Sequence, residues 1–136
     1  MKQILAKIAF FALAATVPLT AAAHAALEGH WINARGSVIV NVAPCGRFYC
    51  GTVVQATAHA KETARKGGTP NLIGTRILSG VRPAGDGTFK GQAFDPKRNI
   101  HAPATIRLEG PNAIVVRGCA IAGMFICKEQ RWTRIG

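Results

Sequence analysis

Residues 37–58 read SVIVNVAPCGRFYCGTVVQATA, and this stretch decides the fold. It holds two β-branched runs, Ser37 to Ala43 and Cys50 to Ala58, on either side of a short turn that contains Gly46. β-Branched residues favour extended backbone, and Pro44 ends the first run because proline cannot donate a hydrogen bond to a neighbouring strand. The stretch therefore predicts an antiparallel hairpin.

The same alternation with a period of two continues on both sides of this hairpin. We expect strands at Gly29–Ala34, Ser37–Ala43, Cys50–Ala58, Leu72–Val81, Thr88–Phe94, Ile100–Glu109, Ala113–Cys119 and Met124–Arg134. The polar connection at 59–71 is expected to form a single helical turn at most, because Gly67-Gly68 stops a helix. Eight strands with short turns predict an all-β, up-and-down antiparallel barrel, since a two-sheet sandwich needs longer crossovers.

The N-terminus has the pattern of a cleavable signal peptide. Lys2 and Lys7 give a positively charged region before an apolar run, Ile8 to Val17, and small residues follow, ending in Ala23-His24-Ala25. A run of this length is about half of what a membrane-spanning helix needs. We predict cleavage after Ala25, a single domain at 26–136 without a transmembrane span, and a periplasmic or secreted location.

Four cysteines lie after the predicted cleavage site. An even number in an exported chain indicates disulfides, although three pairings exist. Cross-strand neighbours in a hairpin are close enough to bridge, which favours Cys45–Cys50 and Cys119–Cys127. A structural zinc site is not expected, because neither C-x-x-C nor H-x-x-x-H spacing occurs.

Basic residues outnumber acidic ones by 17 to 6, and residues 26–136 retain a net charge of +9. The charge is dispersed, apart from Lys61/Arg65/Lys66 and Lys97/Arg98 in predicted loops, and export argues against a nucleic-acid partner. An anionic component of the cell envelope is the partner that such a charge favours. No G-x-S-x-G motif or catalytic carboxylate pair stands out, so we expect no enzymatic activity, no cofactor and no catalytic residues.

Several segments together are similar to one known family. They are Gly29-His30-Trp31, Cys45-Gly46 through Cys50-Gly51, Leu72-Ile73-Gly74, Gly91 to Pro96, Val116 to Cys119, and Gln130 to Arg134. From about Glu28 to Arg134 the chain resembles the DUF2147 family of exported bacterial proteins. That resemblance implies an architecture similar to lipocalins, a small antiparallel barrel that binds an apolar or amphipathic small molecule.

Trp31 is expected to plug one end of the barrel. It lies on the first strand, and either Arg131 or Arg134 of the last strand is placed to stack on its indole. Such a cation–π contact contributes roughly 0.5–2 kcal/mol. The alternative is that Trp31 and Trp132 are ordinary core residues.

Small residues on one face of the fifth strand predict a pocket. Gly91 and Ala93 follow Phe89 at alternate positions, so we expect an apolar pocket near Trp31 and Phe89. Arg76 or Arg117 at the mouth is expected to hold an anionic head group, which makes a fatty-acid-like ligand the candidate.

The alternative is a barrel whose interior is already full. The residues that would fill it are Val38, Val40, Val42, Ala104, Ile106 and Leu108. A filled barrel favours a different function, a cell-envelope interaction module that uses its basic loops on an anionic partner or surface.

Overall fold

In the part of the chain that the structure describes, one antiparallel sheet of eight strands closes into a barrel. The structure is a computed structural model, which describes residues 11–15, 26–121 and 125–136. The strands are β1 (Gly29–Ile32), β2 (Val38–Cys45), β3 (Phe48–Ala56), β4 (Arg76–Pro83), β5 (Thr88–Asp95), β6 (Ile100–Leu108), β7 (Ala113–Ile121) and β8 (Phe125–Arg134). Each strand pairs with its neighbour in sequence and β1 pairs with β8, so the predicted up-and-down barrel is confirmed.

Most of the predicted signal peptide lies outside the described residues, and its cleavage stays a prediction. Within the described residues, no helix is both long enough and apolar enough to cross a membrane.

The two predicted disulfides are confirmed. Cys45 and Cys50 bridge the β2–β3 hairpin with their Cα atoms 5.5 Å apart. Cys119 and Cys127 are directly opposite each other on β7 and β8, with a Cα separation of 4.0 Å. Each bridge joins a hairpin that is already paired, so the two bonds brace opposite ends of the barrel.

A helix, α1 (Ala58–Lys66), replaces the single turn expected from the sequence. Its first turn is capped by Thr57, whose hydroxyl accepts a hydrogen bond from the amide of Ala60 at 3.1 Å. Ala60 and Ala64 lie on one face and pack against Val53 and Leu72. This packing stabilises a helix that is too short to persist alone.

The helix also corrects the expected start of the fourth strand. Leu72 is buried beneath α1 rather than in the sheet, and β4 begins only at Arg76. Beyond the helix, Thr69 donates a hydrogen bond to the carbonyl of Pro96 at 2.9 Å. A Cβ atom on Gly67 would lie 2.0 Å from the carbonyl oxygen of Lys97. The segment after α1 is therefore fitted closely against the β5–β6 turn.

Trp31 lies in the core of the barrel. Its indole is fully buried and donates a hydrogen bond to the carbonyl of Leu27 at 2.9 Å. Of the two arginines considered, Arg134 makes the stacking contact, whereas Arg131 pairs with Glu109 on the outer surface.

Candidate functional site

The barrel is packed at one end and hollow at the other. Its packed end contains Leu27, Trp31, Tyr49, Phe89, Ile106 and Ile114. The hollow end contains a cavity of about 1280 Å³, which is somewhat larger than the usual pocket for a small molecule. The cavity opens between the β1–β2 turn, α1 and the β5–β6 turn.

A gradient of side-chain size along β5, β6 and β7 creates this cavity. Towards the packed end, the inward positions hold the large residues Phe89, Ile106 and Ile114, all nearly fully buried. Towards the open end, the same three strands line the cavity with Ala93, Ala102 and Gly118. An eight-stranded barrel is just wide enough for side chains to fill, so small inward residues leave space.

The deeper wall of the cavity is apolar. It is formed by Val40, Val53, Leu78, Val116 and Trp132. All five side chains are at least 93% buried and form a packed floor, and the partly exposed Val38, Ile77 and Ala93 supply apolar surface to the cavity above it. A hydrocarbon group in this region would exchange water for packed aliphatic and indole surface.

The mouth of the cavity carries more positive than negative charge. Its lining includes the cations Arg35, Lys97, Arg98 and Lys128 and the acids Asp95 and Glu129. Asp95 is already engaged, since its carboxylate pairs with Arg98 at 2.8 Å and accepts the backbone amide of Lys97 at 3.0 Å. Glu129 lies opposite Arg117 in the β7–β8 register.

The last strand contributes two polar side chains to the inner face. Lys128, Gln130 and Trp132 alternate along β8 and are opposite Gly118, Val116 and Ile114 of β7, which places all three on the inward side. The indole nitrogen of Trp132 donates a hydrogen bond to Oε1 of Gln130 at 3.2 Å. The sequence contains this pattern, but it can be interpreted only once the inward side of β8 is known.

Of the six residues predicted to contact a ligand, Ala93 is the one that lines the cavity. Trp31 and Phe89 lie in the packed end, at 0% and 2% exposure. Arg76 and Arg117 are exposed and lie outside the cavity lining. The cavity is thus at the opposite end of the barrel from the predicted pocket.

Gly91 has a different role from the one its small size suggested. A Cβ atom there would lie 2.7 Å from the backbone oxygen of Ser79 and 3.0 Å from a methyl carbon of Val81. The glycine allows β4 to approach β5 beside the irregular pairing between Ser79 and Arg82. Its contribution is close strand packing.

Tyr49, at the packed end of the barrel, has a shifted pKa. Tyr49 donates a hydrogen bond to Oε1 of Glu28 at 2.6 Å. This bond, together with burial and the nearby negative charge, raises the pKa of Tyr49 to about 12. Since the carboxylate is an acceptor for the neutral phenol, the pair stabilises the protonated form.

Within the described residues, no group of three His, Cys, Asp or Glu side chains is arranged to hold a metal ion. Asp95 and His59 both line the mouth. The carboxylate of Asp95 is bound to Lys97 and Arg98, as described above.

Comparisons with known proteins agree with the barrel. The chain matches DUF2147, described as an uncharacterised protein conserved in bacteria, over residues 29–134. Its fold is similar to that of protein HP1028 from the human pathogen Helicobacter pylori, reported to belong to the lipocalin family, with a TM-score of 0.59. That similarity covers 81% of this chain and 83% of the other at 12% identity, which supports a shared fold alone. No curated protein matches the sequence.

Proposed function

The chain belongs to the DUF2147 family, and we propose that it is a noncatalytic binding protein whose barrel cavity takes up one small amphipathic molecule. The observation that carries this proposal is the open cavity of about 1280 Å³ above an apolar floor. A fatty-acid-like compound fits the arrangement, with its hydrocarbon part deep in the barrel and its polar part at the mouth.

The apolar wall supports binding of a hydrocarbon chain. Each methylene that leaves water for this wall contributes about 0.8 kcal/mol. Ten methylenes would therefore contribute about 8 kcal/mol before the entropic cost of association is subtracted. The net free energy of binding that remains corresponds to weak or intermediate affinity. An additional contact to the polar end of the ligand would therefore strengthen binding noticeably.

The absence of catalysis is part of the proposal. A hydrolytic site in the cavity would need a histidine and a carboxylate in contact, and Asp95 instead binds Lys97 and Arg98. The remaining acid in the lining, Glu129, follows Lys128 on the wall of β8 and faces Arg117 across the strands. These arrangements favour binding over acid–base chemistry.

The interaction-module alternative has less support. That alternative requires a barrel whose interior is full. Of the residues that would fill it, only Val42, Ile106 and Leu108 pack in the core cluster without lining the cavity. The basic residues of 59–71 lie on or beside α1, where Glu62 pairs with both Arg65 and Lys66. The charge available there for an anionic partner is correspondingly smaller.

A location outside the cytoplasm completes the proposal. Both pairs of cysteines form disulfides, which persist in oxidising compartments such as the bacterial periplasm. The family is bacterial, and the N-terminal pattern of the sequence is that of an export signal.

A titration with an environment-sensitive fluorescent fatty acid tests the proposal. The test variant is Gly118→Leu, because a Cβ atom at Gly118 meets no atom closer than 3.8 Å and the added side chain would enter the cavity. The matched control is Thr105→Leu, which adds a side chain on the exposed face of the neighbouring strand.

We expect the wild type and Thr105→Leu to bind the probe alike and Gly118→Leu to bind it at least about tenfold more weakly. Thermal unfolding of all three proteins checks that the fold is retained. The proposal fails if the wild type binds no probe, or if the leucine inside the barrel has no more effect than the leucine outside it.

A further inference from the structure

We infer that the ligand carries an anionic head group, a carboxylate or a phosphate, and that Lys128 and Gln130 on the inner face of β8 hold it. This inference rests on the proposed function, since it concerns the same cavity. It assigns the head-group contact to two residues that line the cavity rather than to Arg76 and Arg117, which lie outside its lining.

The register places both side chains where a ligand can reach them. Lys128 is opposite Gly118, and Gln130 is opposite Val116, and all four residues line the cavity. Because Gly118 has no side chain, the space across from the lysine is open. Inward residues two positions apart on a strand are separated by about 6.8 Å, a distance that two side chains can close around one small head group.

The charge of Lys128 is not neutralised within the described part of the chain, where none of the ion pairs includes it. The carboxylates of Glu62, Asp95 and Glu109 each bind other cations. Lys128 is exposed to solvent and lines the cavity, so its ammonium group is available to a ligand there without a paired carboxylate among the described residues. An anion from the ligand would supply the counterion.

Gln130 is oriented by its neighbour. Its Oε1 accepts the indole N–H of Trp132 at 3.2 Å, which directs the amide NH2 group away from that contact. The amide then offers donors, and the ammonium of Lys128 offers donors only. A head group with several acceptor oxygens and a negative charge complements both, and charge-assisted hydrogen bonds are roughly twice as strong as neutral ones.

The remaining surroundings fit an anion at this level of the barrel. Lys97 and Arg35 also line the mouth, and together with Lys128 they outnumber the lining carboxylate of Glu129, so the net field through which an anion would enter is positive. Below Gln130 the wall becomes apolar at Trp132, Val116 and Leu78. The head group would thus lie at the boundary between polar and apolar wall, with the tail below it.

Displacement of the neutral probe N-phenyl-1-naphthylamine by ligands with one chain length tests the inference. Decanoate, decyl phosphate and decanol share a ten-carbon chain and differ in the head group. We expect both anions to displace the probe from the wild type at about tenfold lower concentration than decanol.

Four variants locate the contact. We expect Lys128→Met to abolish the preference for anions, measured in each variant as the ratio of the displacing concentrations of decanol and of the anion, and Lys128→Arg to keep the preference. Gln130→Leu should reduce it about threefold to tenfold. The matched control is Lys90→Met, which removes the same charge from an exposed position on the outer face of β5.

The outcomes separate this inference from the function on which it rests. If the neutral probe and decanol bind but the anions show no preference, the head-group inference is overturned and the binding function stands. An equal loss of preference in Lys90→Met also overturns it, because overall charge would then explain the effect. If no compound binds to the wild type, both fail. A preference for one anion over the other identifies the head group.

Discussion

Arg134 lies across the face of Trp31, with its guanidinium carbon 4.2 Å from the centroid of the indole. The same guanidinium donates hydrogen bonds to the carbonyl oxygens of Ala26, Glu28 and Pro111. One side chain of the last strand therefore holds both the segment before β1 and the β6–β7 turn. It does so at the β1–β8 seam, where the register pairs only Trp31 with Arg134 and Ile32 with Thr133.

We expect Arg134→Ala to lower the free energy of unfolding by about 2–4 kcal/mol, because a cation–π contact and three hydrogen bonds are lost together. Arg131→Ala is the control. It removes an equally charged side chain of the same strand, but one whose ion pair with Glu109 is exposed and contributes about 1 kcal/mol or less. Urea denaturation measures both, and equal effects would contradict the assigned role of Arg134.

The glycines of β5 and β7 give a second prediction. Gly91→Ala should destabilise the barrel by about 1–3 kcal/mol, since the new methyl would collide with the backbone of Ser79. Gly118→Ala should change stability by less than about 1 kcal/mol, because its methyl meets atoms only at ordinary contact distances. Thermal unfolding measures the stability of the two variants. If Gly91→Ala is as stable as the wild type, the close approach of β4 to β5 is contradicted.

The barrel and its disulfides could be predicted from the sequence because they depend on local patterns. Alternation with a period of two defines strands, and each cysteine pair lies within one hairpin. The helix was missed because α1 has only two buried apolar residues, Ala60 and Ala64, and packing against Val53 and Leu72 decides its length. That packing depends on residues distant in sequence.

The position of the cavity could not be predicted for a related reason. Which side of a strand faces inward changes at a β-bulge, and the register shifts in the pairing of β3 with β4 and of β4 with β5. Inward positions on β4 therefore do not follow the simple alternation that led to Arg76. Which end of the barrel is hollow is visible only when Phe89, Ile106 and Ile114 are seen to pack in one cluster.

The contact between Tyr49 and Glu28 predicts a loss of stability at high pH. The pKa of Tyr49 is raised from about 10 to about 12 in the folded protein, so the native state retains a proton that the unfolded state releases. The stabilisation is complete below pH 10 and is lost as the pH rises from 10 to 12. Its size is about 2–3 kcal/mol.

The titration of the Tyr49 phenol is readily measured because Tyr49 is the only tyrosine in the chain. Absorbance of the phenolate should appear near pH 12 in the folded protein and near pH 10 in urea. Tyr49→Phe should be about 2 kcal/mol less stable at pH 8 and lose less stability between pH 10 and 12. Titration of the native tyrosine at pH 10 would contradict the prediction.

Processing of the N-terminus is tested at the residues next to the predicted cleavage site. We expect the exported protein to begin at Ala26, whose carbonyl is bound by Arg134 and which precedes the buried Leu27. Mass spectrometry of protein from the periplasmic fraction gives the terminus directly. Ala25→Leu, which removes the small residue that a signal peptidase requires, should retain residues 1–25. Exported wild-type protein with Met1 still present would contradict the prediction.

The two disulfides should differ in their effect on binding although both stabilise the fold. Each closes a short loop, and loss of either, as Cys45→Ser/Cys50→Ser or Cys119→Ser/Cys127→Ser, should cost about 2–3 kcal/mol in the loop-entropy approximation. Cys119 and Cys127, however, are next to Gly118 and Lys128, which line the cavity. Loosening β7 from β8 there would let the inner side chains of β8 move.

Cys45 and Cys50 brace the opposite, packed end. We therefore expect the Cys119/Cys127 variant to bind the fluorescent fatty acid several-fold more weakly at a temperature where it remains folded, and the Cys45/Cys50 variant to bind it like the wild type. Circular dichroism at that temperature establishes that both are folded, and an equal loss of affinity in the two would place the binding site elsewhere than the mouth between β7 and β8.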